Sequence, residues 1–396
     1  MSTRARIFAA AVVAALHLAV LVPLTDGASV IVGPVFQPDA EDVIEGVLPY
    51  RDRDFEYPPF ALGPLLGPAA VSDDPLGYSE AFAWEMIGFD LAIVALLAFA
   101  LRAPPGRVVS ALGVYTFGIL ALSGVLLPDS KLDASLPLAR FDLVPAALVL
   151  AAVLAREAAR SATWSALLSV AAAVKAYPLL LYPVLGRGET RPLRAIAAAA
   201  VPLVLAAALV LAWGDDFGSA IDYHSGRDLQ IETLGASALL VAHLFGADAG
   251  LTTGAGSYNL DAPGDEVARA LTLGLLVVGY ALVVWATWRW RPAPLVAATA
   301  VLAVAVCFSP VLSPQFLLWL LPVSAAAFGL GAPNVILVAA VVLTQVFLSK
   351  YHLVEALDAE FVIPLAARNA LLLAYLVAVA LSLRSGSPAT PAWARR

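Results

Sequence analysis

The chain of 396 residues contains a single cysteine, Cys307, set inside an apolar run. No intrachain disulfide and no cysteine-based metal site can form, and a small core residue is the plain reading of that position. Charge is nearly as scarce. Asp, Glu, Lys and Arg make up 13% of the residues, about half the fraction of an average soluble domain. Lysine occurs three times, at Lys131, Lys175 and Lys350, and histidine four times, in no spacing that would hold a metal. With a formal charge of −7 and no basic surface, the composition argues against a nucleic-acid partner. No repeat of fixed period appears, and no matching pair of interrupted helices of the kind that marks inverted-repeat carriers.

What the chain has instead is apolar length. It is 61% hydrophobic, and its Ala, Leu and Val runs recur near the roughly 20 residues that cross about 30 Å of hydrocarbon. This predicts an all-α integral membrane protein, one polytopic bundle over residues 1–396 with about ten full spans plus re-entrant or broken helices. Spans are predicted near 7–24, 83–101, 108–127, 141–155, 195–213, 267–288, 293–308, 316–330, 334–349 and 363–383. The first stretch has a basic flank like a signal peptide, but it is long and lacks a clear small-residue cleavage site, so it is read as an uncleaved span.

Basic loops stay cytoplasmic, and their signs must alternate along the chain. Arg4 and Arg6 put the N-terminus inside, and the same rule puts the 385–396 tail inside. The longer loops at 25–80, 128–140, 214–266 and 350–361 fall outside. The segment 162–186 breaks the alternation because both its flanks, "REAAR" and "RGETRPLR", are basic. Two shorter helices interrupted at Lys175–Pro178 resolve the conflict. The apolar but short 234–246 and the Gly-rich 246–264 are expected to stay outside or dip part-way.

Against this background a few polar groups stand out. Lys175 in "AAAVKAYPLLLYP" lies at a helix break, where an ammonium either snorkels to the interface or marks a functional site. "YHSGRDLQIET" gathers His224, Arg227, Gln230 and Glu232, a set suited to a phosphate or a sugar and equally that of a solvated loop. "FSPVLSPQFLLWLLP" places Ser313 and Gln315 among prolines that free backbone carbonyls. "YRDRDFEYPPFALGPLL" carries Asp52, Glu56 and Tyr57 ahead of two prolines, with a helix expected around 60–70.

Five blocks, "PYRDRDFEYPP", "RFDLVPAALVLAAVLA", "AAAVKAYPLLLYPVL", "YHSGRDLQIETLGAS" and "SPVLSPQFLLWLLP", stand in the order found in actinobacterial family 87 glycosyltransferases. The chain resembles them over nearly its whole length. The resemblance implies a GT-C type fold in the cytoplasmic membrane with its active site facing outside. It implies a sugar, mannose in known members, donated from a polyprenyl phosphate with inversion to a lipid-linked or polysaccharide acceptor, and no cofactor. A polyprenyl-phosphate arabinofuranosyltransferase and a lipid-linked-sugar flippase are the alternatives.

In such enzymes a carboxylate of the first outer loop deprotonates the acceptor. Phe36, Ala40 and Gly46 fit the family's spacing, but its Asp position falls on Val32. Asp26 and Asp39 are the replacements, with Glu56 and Asp52 behind them, and Asp39 could instead cap a short helix at 40–45. The resemblance also implies that Lys175, His224 and Arg227 lie near the donor phosphate, Gln230 and Glu232 near sugar or acceptor, and Ser313 and Gln315 at the cavity mouth. Tyr57 and Lys350 complete the expected binding set, and Arg140 could pair with Asp142.

Overall fold

A computed structural model describes residues 1–26, 29–125, 135–214, 218, 226–254 and 256–384. Lys131, His224 and the 385–396 tail lie outside the described residues. In chain order the helices are α1 (Thr3–Leu21), α2 (Ser29–Ile44), α3 (Leu62–Ala69), α4 (Pro75–Ala95), α5 (Pro105–Leu122), α6 (Leu143–Glu157), α7 (Ser161–Val174) and α8 (Tyr182–Leu185). They continue with α9 (Pro192–Trp213), α10 (Leu234–Leu244), α11 (Asp265–Trp290), α12 (Pro294–Cys307), α13 (Leu317–Phe328), α14 (Ala332–Ser349) and α15 (Ala359–Ser382). The all-α membrane architecture is as expected. Strand structure among the described residues is one antiparallel hairpin, β1 (Gly250–Gly254) with β2 (Ser257–Asp261), Leu251 opposite Leu260.

Seven helical stretches are long and apolar enough to cross a membrane: Thr3–Leu24, Pro75–Ala100, Pro105–Leu122, Pro192–Trp213, Asp265–Trp290, Ala332–Ser349 and Ala359–Ser382. The other apolar helices are shorter. α6, α12 and α13 have 15, 14 and 12 residues, about 18–23 Å at 1.5 Å per residue. The roughly ten full spans expected from hydropathy therefore divide into long helices and shorter ones packed inside them. α9 and α11 are only 11% buried over their apolar windows. Leu211, Val201 and Leu271 on them are exposed, a pattern that water would penalise and lipid tolerates.

Where helices cross, small residues and buried polar bonds replace ordinary apolar contact. At Gly118 on α5 an added Cβ would stand 2.4 Å from Leu321 of α13, so only glycine lets the two helices approach. α1, α4 and α5 are joined by a fully buried cluster. His17 bonds Asp90 at 2.6 Å and Thr116 at 3.0 Å, and the Tyr115 hydroxyl donates to Asp90 at 2.7 Å. Each member has its partner, so the cluster works as a weld.

The interrupted segment is a re-entrant hairpin. α7 stops at Lys175, whose backbone is extended, because Pro178 has no N–H for the carbonyl of Val174 and its ring would clash there. The chain returns through a 3-10 turn, Tyr177–Leu181, and α8. Ser161 and Trp164 at the start of α7 both donate to Glu189 beyond α8, at 2.6 and 2.8 Å. Arg156 at the end of α6 holds the carbonyls of Leu185 and Arg187. Both feet of the hairpin thus stand at one end of the bundle and Lys175 forms its tip.

Asp90→Ala strips a partner from both His17 and Tyr115. The expected loss is about 3 kcal/mol, against about 1 kcal/mol for Thr116→Ala. Thermal unfolding in detergent measures both, and equal midpoints for the two variants would contradict the weld.

Candidate active site

α2 positions the first group of site residues. Val32, Phe36 and Ala40 fall on one buried face at intervals of four. Phe36 stacks on Phe82 at 5.5 Å and meets Phe141 edge-on at 5.6 Å. Gly46 ends the segment at φ +91°, a conformation open to glycine. Seven residues after Val32, Asp39 returns to nearly the same face, two turns or about 10.5 Å further along. It stands within the helix and does not cap one.

Asp39 Oδ1 is 2.6 Å from Arg53, which also bonds Asp42. Oδ2 of Asp39 has no partner among the described residues. Burial raises the Asp39 carboxyl to about 6, beyond what Arg53 takes back, and Glu56 and Asp42 add to the rise. The Tyr57 hydroxyl bonds the Glu56 carboxylate beside it. Asp26 is exposed on the turn after α1, and Asp52 is engaged by Arg51 and the Leu48 N–H. Of the four carboxylates weighed from sequence, Asp39 and Glu56 come together. The Tyr57 ring sits edge-on to Phe141 at 5.0 Å, and the 3-10 turn Pro59–Ala61 leads into α3, as expected around 60–70.

Phe141 carries the site on to Lys175. The ammonium is 2.7 Å from Asp142 Oδ1 and lies over the rings of Phe141, Trp319, Phe316 and Tyr57 at 5.2, 5.3, 5.6 and 6.0 Å. Trp319 donates its indole N–H to the same oxygen at 2.5 Å. Cation–π attraction is strongest where water is excluded, and the Asp142 side chain is only 2% exposed. Asp142 therefore pairs with Lys175, where an Arg140 partner had been a possibility. Ser313 and Gln315 flank Phe316 in the 3-10 turn Pro314–Phe316, half-buried beside this cage.

The third group is held by the β-hairpin. Leu229 and Ile231 pair with β2, and the Gln230 N–H donates to the Pro310 carbonyl. This brings Gln230 and Glu232 into the interior. The Glu232 carbonyl accepts from Arg368 and Asn369 of α15, and its carboxyl bonds the Tyr351 hydroxyl. Burial pushes that carboxyl up to about 7 against the opposing pull of Arg368, Tyr351 and Arg140. Arg227 turns toward the hairpin and bonds Ser257 at 2.9 Å. Lys350 forms an exposed pair with Glu360 at 2.7 Å and takes no part in the cage. His224 lies outside the described residues.

Two contributors escaped the sequence reading, Tyr351 and Arg368, while Arg140 was expected only as a partner of Asp142. Arg368 was visible in principle, being an arginine inside a predicted span, where an ionisable group needs a reason. It is fully buried, with its Nε and Nη1 lacking partners among the described residues. Tyr351 carried no local signal, since its bond to Glu232 spans more than a hundred residues.

A family model described as glycosyltransferase family 87 matches residues 55–314, about two thirds of the chain. The chain belongs to glycosyltransferase family 87. No curated protein matches it. The family 87 match takes in Glu56, Tyr57, Arg140, Asp142, Lys175 and Glu232, while Asp26, Asp39 and Arg368 fall outside its bounds. The protein is thus a membrane glycosyltransferase.

Asp142→Asn leaves Lys175 uncompensated in an apolar cage, a loss expected at about 3–5 kcal/mol. Adding Lys175→Met should restore much of it. Unfolding midpoints of the two single variants and the double variant test the pairing, and strictly additive losses would refute it.

Proposed function

We propose that this family 87 enzyme moves a hexose, mannose, from a polyprenyl-phosphate donor to a lipid-linked or polysaccharide acceptor. The site end of the bundle faces outside the cytoplasmic membrane, and both termini lie inside. The reading rests on one observation. A half-buried carboxylate, Asp39, shares one region of an apolar bundle with the half-buried cations Lys175 and Arg140 and the fully buried Arg368. A lipid-linked donor needs that arrangement, because its tail stays in hydrocarbon while its phosphate and sugar sit at the rim.

The chemistry follows from the geometry. Asp39 Oδ2 takes the proton of the acceptor hydroxyl while Arg53 holds Oδ1 and fixes the carboxylate plane. The acceptor oxygen bonds to the anomeric carbon from the face opposite the leaving group. The carbon–oxygen bond to phosphate breaks, and its electron pair leaves on the polyprenyl phosphate. The configuration inverts. Developing charge on the phosphate is stabilised by fixed cations in surroundings that exclude water. Glu56, through its bond to Tyr57, lines the acceptor side, and Gln230 with Glu232 lines the sugar side. Lys175 acts as the strut under both.

Asp39→Asn is expected to lower transfer from polyprenyl-phosphate mannose by about 10²–10⁴-fold, whereas Asp26→Ala leaves it unchanged. A base that titrates at about 6 is ionised above that value. Activity should therefore fall as pH drops through about 6, by roughly tenfold per unit below it, and this limb should vanish in the Asp39→Asn residual activity. Measured with labelled donor, an unaltered rate in Asp39→Asn would reject the base. No transfer from any polyprenyl-phosphate sugar would reject the reaction.

A further inference from the structure

Most cations at the site end are already neutralised. Arg53 holds Asp39 and Asp42, Arg51 holds Asp52, Lys175 holds Asp142 and Lys350 holds Glu360. Arg140 differs. No carboxylate of the described residues comes within 4.0 Å of it, and its Nε is buried without a hydrogen-bond partner among them. The turn before α6 delivers it, and its guanidinium lies over the Phe36 ring at 5.8 Å. Its charge acts on both the Tyr57 hydroxyl and the Glu232 carboxyl.

The Glu232 carboxyl is shared between Arg140 and Arg368, which both act on it, and among the described residues neither forms an ion pair with it within 4.0 Å. Arg368 is fully buried and donates to the Glu232 carbonyl at 3.2 Å. Two cationic side chains thus share one carboxyl, whose burial favours its neutral form. Around them Glu232 Oε2, Gln230 Oε1, Asn369 Oδ1 and two guanidinium nitrogens of Arg368 are buried without partners among the described residues. Buried polar atoms in such numbers belong to a site that a ligand or water completes, and a half-buried guanidinium with no ion pair among the described residues is suited to an anion.

We propose that Arg140 is the residue that receives the donor phosphate, with Arg368 as a second, deeper cation beside the one carboxyl, Glu232, that the two share. This deepens the polyprenyl-phosphate reading and rests on it. The guanidinium is planar and offers paired donors that match phosphate oxygens. The Arg140 guanidinium carbon lies 5.8 Å from the Phe36 ring centroid, and no hydrogen bond to the described residues occupies its nitrogens. Lys175, the cation expected from sequence, is held by Asp142 and walled by four rings. An arriving phosphate would have to break that pair, whereas at Arg140 it breaks none.

The test uses full-length protein in phosphatidylcholine nanodiscs, titrated with a short-chain polyprenyl phosphate, the corresponding polyprenol and inorganic phosphate, and read by native mass spectrometry. Arg140→Gln should weaken polyprenyl-phosphate binding by at least about tenfold, the worth of one lost charge-assisted contact, and leave polyprenol binding unchanged. Arg140→Lys should recover most of the loss, and Arg140→Met is the parallel neutral variant should the glutamine fail to fold. Equal polyprenyl-phosphate binding by wild type and a folded neutral variant overturns the assignment. If inorganic phosphate binds through Arg140 while polyprenyl phosphate does not bind at all, the anion site stands and the lipid-donor reading falls. If wild type binds neither anion, both fall.

Discussion

The pairing of Lys175 with Asp142 is the interaction on which the interior of this bundle depends. Interrupting a helix at depth frees backbone carbonyls and, here, exposes an ammonium to an apolar surround. The carboxylate at 2.7 Å and the four rings around it make that tolerable. Each partner comes from a distant part of the chain: Tyr57 from the loop after α2, Phe141 and Asp142 from the start of α6, Phe316 and Trp319 from the start of α13. Satisfying one charge therefore pins three connections to the re-entrant tip. The loop with Glu56 and Tyr57 is located by it, and Phe141 passes the constraint to Phe36 and hence to α2.

Parts of this were legible in the sequence for identifiable reasons. Two basic flanks around one apolar segment forced a broken helix, and Pro178 marked where it breaks. The apolar runs specified the architecture, seven of them forming helices long enough to cross a membrane and the others forming shorter apolar helices. α2 was harder to see. Pro34 and Pro38 lie inside it and suggest an irregular loop, yet the helix runs from Ser29 to Ile44 through both. A reader misled by those prolines starts the helix at 40 and turns Asp39 into a cap. Lys350 looked like a ligand because lysine is rare here, but its partner Glu360 sits ten residues on and both are exposed.

The family match and the geometry divide the site in an instructive way. Residues 55–314 hold Arg140, the Lys175–Asp142 pair with two of its four rings, and the Glu232 segment. The proposed base lies before them on α2, and Arg368 lies after them on α15. The face of α2 that carries Val32 is packed shut at that level, with Phe36 and Ala40 beside it. A carboxylate can approach solvent on that face only further along the helix, where Arg53 and the turn from Leu48 to Arg53 are present to receive it. Asp39, the base in the proposed reaction, therefore has a local counter-charge in Arg53.

The re-entrant hairpin has a consequence for how the chain is threaded. A segment whose feet stand at the same end contributes an even number to the parity of crossings. Every helix after Glu189 keeps its direction whether the hairpin reaches far into the bundle or hardly at all. The element that carries the deepest charge is consequently decoupled from the orientation of the rest. Its depth can be set by the needs of the site alone, as the reach of a finger can change without moving the hand.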